Sequence, residues 1–232
     1  ESASGQRFHT SYTRVGGLLY DVNDEWVGKV RSFVKGFAKT HNDVHKLLTR
    51  NRIFMERTKG IGVLSQKDAI AYSCTGPIAR ASGVVRDLRK DEPYCGYESY
   101  DFDVCVGKGQ YGPVGSCFDR NWVRVVEMRE SSKILHQALD RFEKMEKTDV
   151  HEKVPKRVKP PKGEVYFRSE APRGQLGYYV VSDGNINPYR VKVKSPCFTA
   201  MSAFHHLAKG LMIADIIALI GSLDIVLGEI DR

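Results

Sequence analysis

Two acidic residues interrupt an apolar segment, and they are the first candidates for chemistry in this sequence. Residues 221–232 read GSLDIVLGEIDR, with Asp224 and Glu229 among aliphatic side chains. A carboxylate that is removed from water must pair with a cation or take up a proton. The pattern therefore predicts paired acids or a proton-accepting site in this segment.

A histidine near the beginning of the sequence lies among positively charged neighbours. His9 is flanked by Arg7 and Arg14 in the stretch SGQRFHTSYTRVGG. Nearby positive charge disfavours the imidazolium form, so the protonation of a partly buried His9 would respond to a change in local charge. A lone histidine is also commonly structural, and the residues alone leave both interpretations open.

A third candidate is the stretch 74–104, which mixes charges of both signs with glycine and proline. It contains Arg80, Arg86, Asp87 and Arg89. The stretch has neither helical nor strand periodicity, so we expect an ordered irregular loop. Its mixed charges predict a structural cluster of ion pairs, and a functional role is the alternative.

The cysteines and glycines argue against several classes of site. No two of the five cysteines are spaced as CxxC, which predicts neither a disulfide framework nor a zinc or iron–sulfur site and favours a reducing compartment. The segments GKGQYG and RGQLG lack the strand–GxGxxG–helix setting of a dinucleotide site, and the Walker A pattern is absent. We therefore expect no metal and no nucleotide to be bound by this chain alone.

The formal net charge of +8 is partly concentrated in 153–163, KVPKRVKPPKG. Its three prolines exclude a regular helix and predict a solvated linker. The other basic residues are interspersed with acids, which does not indicate a nucleic-acid groove. The most apolar stretch, 211–226, is broken by Asp215, Gly221 and Asp224, so it predicts a buried core helix rather than a membrane span.

The elements that must position these residues are mostly helices. Apolar residues recur at spacings of three and four in 26–48 and 119–145, which predicts two long amphipathic helices, the first capped by Asn23 or Asp24. The S-x-x-D form at Ser65 predicts the start of another helix. Alternating β-rich segments in 164–195 predict a small antiparallel sheet, and 196–220 return to helix.

The predicted fold is therefore mainly α, a multihelical body with one small antiparallel β-sheet. We expect one domain in three parts. These are a helical portion at 1–150, the basic Pro-rich linker at 151–163, and the sheet with helices that return into the same core at 164–232.

Several segments, in this order along the chain, resemble those of one family. They read RFHTSYTRVGG, GPIARASGVVRDLRKDEPY, YDFDV, CFDRNWVRVVEMRESSKIL, SEAPRGQLGYYVVSDG, PYRVKVKSP and MIADIIALIGSLDIVLGEIDR. They are similar to the C-terminal half of the NuoD-type subunit, the hydrogenase-like catalytic-core subunit of respiratory complex I, NADH:quinone oxidoreductase. The resemblance covers nearly the whole chain and implies a hydrogenase-large-subunit-like fold. Since the family's N-terminal half has no counterpart here, we expect a fragment or one product of a split gene.

The resemblance implies roles for the residues singled out above. Asp224, Val226 and Glu229 match positions near the quinone headgroup, and His9 matches a histidine close to the terminal iron–sulfur cluster, which a neighbouring subunit holds. Asp224 and His9 would be the catalytic groups whose protonation accompanies quinone reduction. The final segment contains no Cys or His, so this half of the hydrogenase nickel site is absent. The stretch 74–104, with Arg80, Arg86, Asp87 and Arg89, would form a structural and coupling loop.

The implied function is a subunit of proton-pumping NADH:quinone oxidoreductase, with quinone as substrate and the isolated chain inactive. The implied partners are the iron–sulfur subunit, other complex I subunits, a chain carrying the missing N-terminal half and, through the complex, the membrane surface, but no nucleic acid. The implied location is peripheral, on the cytoplasmic side of a bacterial inner membrane or the matrix side of a mitochondrial one. The alternatives are a subunit of a related ferredoxin- or deazaflavin-dependent membrane complex and a non-catalytic scaffold fragment.

Overall fold

Two long antiparallel helices form the frame of the fold. The computed structural model describes residues 5–7, 11–146 and 148–231. The long helices are α1 (Asp24–Val44), which continues into a π-helical turn at His45–Thr49, and α6 (Cys117–Phe142). Arg31 in α1 pairs with Asp140 near the end of α6 at 2.9 Å, while His41 Nε2 donates to the Val125 carbonyl near its start at 2.7 Å. The two helices therefore run in opposite directions, as a pair of packed amphipathic faces.

The remaining helices are short, and polar side chains cap several of them. They are α2 (Arg52–Thr58), α3 (Gln66–Ala71), α4 (Gly76–Ala81), α5 (Leu88–Asp91), α7 (Pro196–Ser202), α8 (Phe204–Ala208), α9 (Ile213–Leu223) and α10 (Leu227–Ile230). The side chain of Asn23 accepts from the Trp26 N–H at 2.8 Å, and Ser65 Oγ accepts from the Asp68 N–H at 3.1 Å. Both caps were predicted from the sequence and are confirmed.

The prediction of an irregular loop over 74–104 is only partly right, because 82–87, 92–96 and 100–104 are irregular but three short helical segments interrupt them. This stretch contains α4, α5 and a 3-10 turn at Tyr97–Ser99. Every residue of α4 is buried, so its sequence has no polar face to reveal a helical period. Helix α5 is one turn long, which is too short for a periodic pattern.

The predicted sheet is confirmed as three antiparallel strands in the order β3–β4–β5. The strands are β3 (Gly163–Ala171), β4 (Gly174–Ser182) and β5 (Arg190–Lys194), and a further hairpin of β1 (Thr13–Arg14) and β2 (Gly17–Leu18) was too short to predict. Gly174 opens β4 with a φ of +132°, and a Cβ there would lie 2.9 Å from the Thr75 carbonyl oxygen. Only glycine lets the sheet approach the start of α4 this closely.

The last helices return to the core, but α9 is buried on one face only. Leu219 and Leu223 pack in the core with Leu64 and Ile78, whereas Ile213 and Ile217 are 86% and 77% exposed. The prediction of a buried core helix here is therefore half wrong, because apolar composition alone does not distinguish a helix covered on all sides from one with an exposed apolar face. None of the helices in the described part of the chain has the length and apolar composition of a membrane span.

Candidate functional site

The C-terminal acidic segment is anchored by an arginine from the sheet. Arg173 lies in the turn between β3 and β4. Its Nε donates to the backbone carbonyl of Asp224 at 2.9 Å, and its Nη2 donates to Oδ1 of Asp224 at 3.2 Å. Asp224 follows α9 with a φ of +53°, a left-handed conformation that is uncommon outside glycine. Arg173 thus holds both the backbone and the side chain of Asp224.

A second arginine approaches the other carboxylate oxygen of this acid. Arg124 Nε lies 3.9 Å from Asp224 Oδ2, and Arg124 Nη1 donates to the Ser222 carbonyl at 2.8 Å. Burial lowers the pKa of Arg124, and the Asp224 carboxylate opposes that shift. The Asp224 side chain remains 39% exposed. The acid is therefore satisfied by pairing, while part of its carboxylate stays accessible.

Glu229 is held by the start of α7. Its Oε1 accepts from Ser195 Oγ at 2.8 Å and from the Cys197 N–H at 3.2 Å, and its Oε2 accepts from Cys197 Sγ at 3.1 Å. Burial alone would raise the pKa of Glu229, but these hydrogen bonds bring it below its ordinary value. Burial, together with the neighbouring carboxylate, raises the pKa of the Cys197 thiol to about 11. Glu229 therefore attaches α10 to α7.

The residues between the two acids are apolar and accessible. Val226 precedes α10 and is 39% exposed, and Leu227 is 77% exposed. Asp224 and Val226 thus combine a partly accessible carboxylate with apolar surface within three residues, whereas Glu229 is committed to internal hydrogen bonds. Of the three residues assigned to the quinone headgroup from the sequence, Asp224 and Val226 are each 39% exposed, and Glu229 is half-buried with both carboxylate oxygens in hydrogen bonds.

Arg80 in the stretch 74–104 is the centre of a buried ion-pair cluster. Arg80 is 2% exposed, its Nε donates to Glu127 at 2.7 Å, and its Nη1 donates to Glu170 at 2.8 Å. Burial would lower the pKa of Arg80, but the surrounding carboxylates raise it above its ordinary value. The same Nη1 donates to the backbone carbonyl of Arg86 at 2.9 Å. Arg80 thus joins α4, α6 and β3.

Asp87 and Arg89 extend this cluster, whereas the side chain of Arg86 does not. Asp87 accepts from Arg89 Nε at 3.0 Å and from Nη2 at 2.6 Å, and the Arg89 guanidinium carbon lies 4.9 Å from the centre of the Phe102 ring. Burial alone would raise the pKa of Asp87, but Arg89 and Arg80 lower it below its ordinary value. The Arg86 side chain is exposed and makes no ion pair within the described residues.

Comparison with known proteins identifies the family. Over residues 1–232 the sequence matches the family model described as "Respiratory-chain NADH dehydrogenase, 49 Kd subunit". The chain belongs to this family. It is 46% identical over 233 residues to a subunit of NADH-quinone oxidoreductase from Chlorobaculum parvum, a match that covers 100% of this chain and 58% of the relative. The corresponding subunit from Methylacidiphilum infernorum is 44% identical over 254 residues, with 100% of this chain and 60% of the relative covered.

The family assignment confirms the resemblance seen in the sequence. Two points limit the comparison, the length of the chain and the residues that the structure describes. The chain spans 58–60% of the length of these two relatives. His9 lies outside the described residues, so its predicted position is not tested. Within the described residues, no group of three or more His, Cys, Asp or Glu side chains is arranged to hold a metal.

The sequence did not reveal Arg173, Arg124 or Cys197 as neighbours of the C-terminal acids. Arg173 lies in a turn signal, APRG, and Arg124 lies on a helix with many other charges. Neither pattern distinguishes these arginines from solvated ones. The Arg173–Asp224 contact joins residues 51 positions apart, so tertiary packing determines it.

Proposed function

We propose that this chain is part of the NuoD-type subunit of a respiratory NADH–quinone oxidoreductase, and that its segment 221–231 forms one wall of the quinone headgroup site. The partly accessible carboxylate of Asp224, oriented by Arg173 and adjacent to exposed Val226, carries the proposal. Small-molecule sites commonly combine apolar contact area with a few placed polar groups. This segment supplies both kinds of contact.

In the proposed reaction, a quinone takes up two electrons and two protons to become a quinol. The electrons come from an iron–sulfur cluster held by a neighbouring subunit. Asp224 holds a proton or a hydrogen bond close to a quinone oxygen, at a position that Arg173 keeps fixed. His9 is the second protonation site. The redox chemistry belongs to the cluster and the quinone, and this chain supplies positioning and electrostatics.

The cluster around Arg80 serves in this proposal as the structural and subunit-contact element. Arg80, Asp87 and Arg89 are its ion-paired members, and Arg86 faces outward. The proposed partners are the iron–sulfur subunit, other subunits of the complex and the part of the NuoD-type subunit that lies outside this chain. The proposed location is peripheral, on the cytoplasmic side of a bacterial inner membrane or the matrix side of a mitochondrial one.

The direct test is Asp224→Asn in the assembled complex, with Asp101→Asn as the matched control. Asp101 is an exposed acid outside this segment. We expect Asp224→Asn to reduce NADH:quinone reductase activity by about tenfold or more, as for loss of a positioned protonation group. Reduction of an artificial acceptor that bypasses the quinone should be unchanged, and Asp101→Asn should behave as wild type. Equal quinone reductase activity of both variants would overturn the assignment.

Assembly is tested by purification from the source cells in mild detergent, followed by mass spectrometry. Recovery of iron–sulfur and membrane subunits is the expected result, and turnover with NADH distinguishes the proposed complex from one that uses ferredoxin or reduced deazaflavin. Recovery of the chain without any such subunit would contradict the proposal and favour a scaffold fragment.

A further inference from the structure

Strand β3 lies at the edge of the sheet, and the first part of its outer edge is uncovered in the described part of the chain. The sheet order is β3–β4–β5, so β3 has a strand neighbour on one side only. Every residue of 163–167 is exposed. These residues lie at the opposite end of β3 from Arg173, which separates them from the proposed quinone segment. An uncovered edge presents backbone donors and acceptors to which another chain can add a strand.

The hydrogen bonds of Glu170 show which residues of β3 face outward. Tyr94 Oη accepts from the Glu170 N–H at 2.8 Å and donates to the Glu170 carbonyl at 3.4 Å, so both backbone groups point away from β4. In an antiparallel pair, alternate residues direct their N–H and C=O groups to the partner strand and away from it. Because β3 pairs with β4 residue by residue without a bulge, Glu164, Tyr166 and Arg168 also face outward.

The outward backbone groups of Glu164 and Tyr166 are unpartnered. Neither the N–H nor the carbonyl of these two residues bonds to any described residue outside the sheet. Val165 and Phe167, which alternate with them, are each 60% exposed and lie on one face of the strand. The edge therefore offers two donors and two acceptors beside an exposed apolar surface.

A basic segment, residues 153–162, leads directly into this edge. It contains no acid and five cations, which are Lys153, Lys156, Arg157, Lys159 and Lys162. All five are exposed, and none forms an ion pair with a described residue. Ser182 Oγ donates to the Pro160 carbonyl at 3.2 Å, which holds the end of the segment beside the sheet. The carboxylate of Glu164 accepts from the Tyr179 hydroxyl, and this one acid does not balance the five cations.

We propose that the outer edge of β3 binds an extended acidic segment of another polypeptide, which adds to the sheet as a further strand. Hydrogen bonds to the backbone of Glu164 and Tyr166 supply affinity, and apolar side chains on one face of the incoming strand cover the exposed face of β3. Antiparallel pairing, the more stable arrangement, brings the C-terminal end of that strand beside Lys162 and Lys159. The acids are therefore expected at this end. The inference goes beyond the quinone assignment, which plays no part in it.

Two other occupants fit the edge less well. If two copies of this chain paired antiparallel through β3, residues 159–162 of each copy would meet the end of β3 that Tyr94 covers in the other. Each copy also carries a formal net charge of +8, which opposes association. A nucleic acid would pair with the cations but would leave the backbone groups and the apolar face of β3 without partners.

Fluorescence anisotropy with the full 232-residue chain tests this proposal. The probe is a labelled synthetic peptide of alternating valine and threonine that ends in several aspartates at its C-terminus. We expect saturable binding to wild type. Glu164→Ala keeps the outward N–H and should bind at least as tightly, whereas Glu164→Pro removes that donor and should bind about tenfold more weakly than Glu164→Ala. Neither variant removes a hydrogen bond to β4, so their thermal midpoints should be similar.

The charge contribution is tested separately. Lys159→Glu and Lys162→Glu should each weaken binding of the acidic peptide. Lys153→Glu, an exposed lysine at the far end of the basic segment, is the matched control and should bind close to wild type. A peptide with lysines in place of the aspartates should bind more weakly than the acidic one at low salt.

Absence of saturable binding to wild type would overturn the proposal, as would equal binding by Glu164→Pro and Glu164→Ala. A thermal midpoint of Glu164→Pro far below that of Glu164→Ala would show that this N–H faces β4 and would contradict the argument. Independently of any variant, a peptide N-methylated at the amides that face β3 should lose binding to wild type. Dimerisation of the chain that Glu164→Pro abolishes would assign the edge to a second copy instead. Displacement of the peptide by a DNA duplex but not by unlabelled peptide would assign the cations to nucleic acid instead.

Discussion

Arg173 and Asp224, 51 residues apart, are joined by two hydrogen bonds that attach the C-terminal segment to a turn of the sheet. One reaches the backbone carbonyl of Asp224 at 2.9 Å and the other its carboxylate at 3.2 Å. The planar guanidinium donates through two nitrogens in a fixed geometry, which a lysine could not reproduce. The sheet thereby determines where Asp224 lies and which way its carboxylate points.

Arg173→Gln should lower the free energy of unfolding by about 1 kcal/mol, because both partners are partly exposed and solvent screens the pair. Urea denaturation measures this effect. In the assembled complex, quinone reductase activity should fall further than the loss of folded protein explains, since Asp224 loses its orientation. Arg190→Gln, at an exposed arginine of β5, is the control. If both variants lowered activity equally, Arg173 would have no special relation to Asp224.

Arg80→Met should be the most damaging change in the ion-pair cluster. It leaves the carboxylates of Glu127, Asp87 and Glu170 without their shared cation, and breaking a buried pair in this way costs about 3–5 kcal/mol. Arg80→Lys should recover only part of this loss, because one ammonium cannot reach all the acceptors. Arg86→Met should change stability by less than about 0.5 kcal/mol. Similar denaturation midpoints for Arg80→Met and Arg86→Met would contradict the conclusion that Arg80 stabilises the fold through its buried ion pairs.

Stability at acid pH should depend on Glu229. The pKa of Glu229 is lower in the folded chain than its ordinary value, so its contribution is fully present above the unfolded pKa. That contribution is lost as the pH falls below the ordinary pKa of a glutamate, about 4.3, and through the lower pKa of the folded chain. Wild type should therefore be more stable than Glu229→Gln at neutral pH, with the difference shrinking on acidification. An exposed control, Glu98→Gln, should show no such difference, and a gap constant with pH would refute this account.

The two faces of α9 should respond differently to truncation. Leu219 is fully buried, so Leu219→Ala should lower the free energy of unfolding by about 2–5 kcal/mol through lost contacts and a cavity. Ile217, two residues earlier on the same helix, is 77% exposed, and Ile217→Ala should cost less than about 1 kcal/mol. Chemical denaturation of the isolated chain makes the comparison. A comparable cost at Ile217 would mean that this face is covered, for example by self-association.

The cysteines should react with iodoacetamide in an order set by burial and pKa. Cys95 is exposed, whereas Cys197 and Cys74 are buried and the pKa of each thiol is raised to about 11. Alkylation requires the thiolate, so near pH 8 Cys95 should be labelled first. Mass spectrometry over time measures the order, and denaturant provides the control in which all sites react. Early labelling of Cys197 would show that the Glu229 contacts do not persist in solution.

The local features of this fold could be predicted because the physical signals are local. The apolar spacing of α1 and α6, the caps at Asn23 and Ser65, and the alternation in the sheet each lie within one short stretch. Helix α4 escaped prediction because all of its residues are buried and no polar face remains. The exposure of one side of α9 was not predicted for the opposite reason. Apolar residues on that side give the same sequence pattern whether another part of the protein covers them or not.

The sequence by itself determined the family and the mainly helical class with a small sheet. It also determined that the acids in 221–231 require hydrogen-bond or ion-pair partners. The identity of those partners was decided only by the tertiary structure. Asp224 pairs with Arg173 across 51 residues, Glu229 with Ser195 across 34, and Arg80 with Glu170 across 90. A buried charge demands an opposite charge or a hydrogen bond, but many arginines in the sequence could satisfy that demand equally well. The turn between β3 and β4 packs against the end of α9. This packing brings only one of these arginines within hydrogen-bond distance of Asp224.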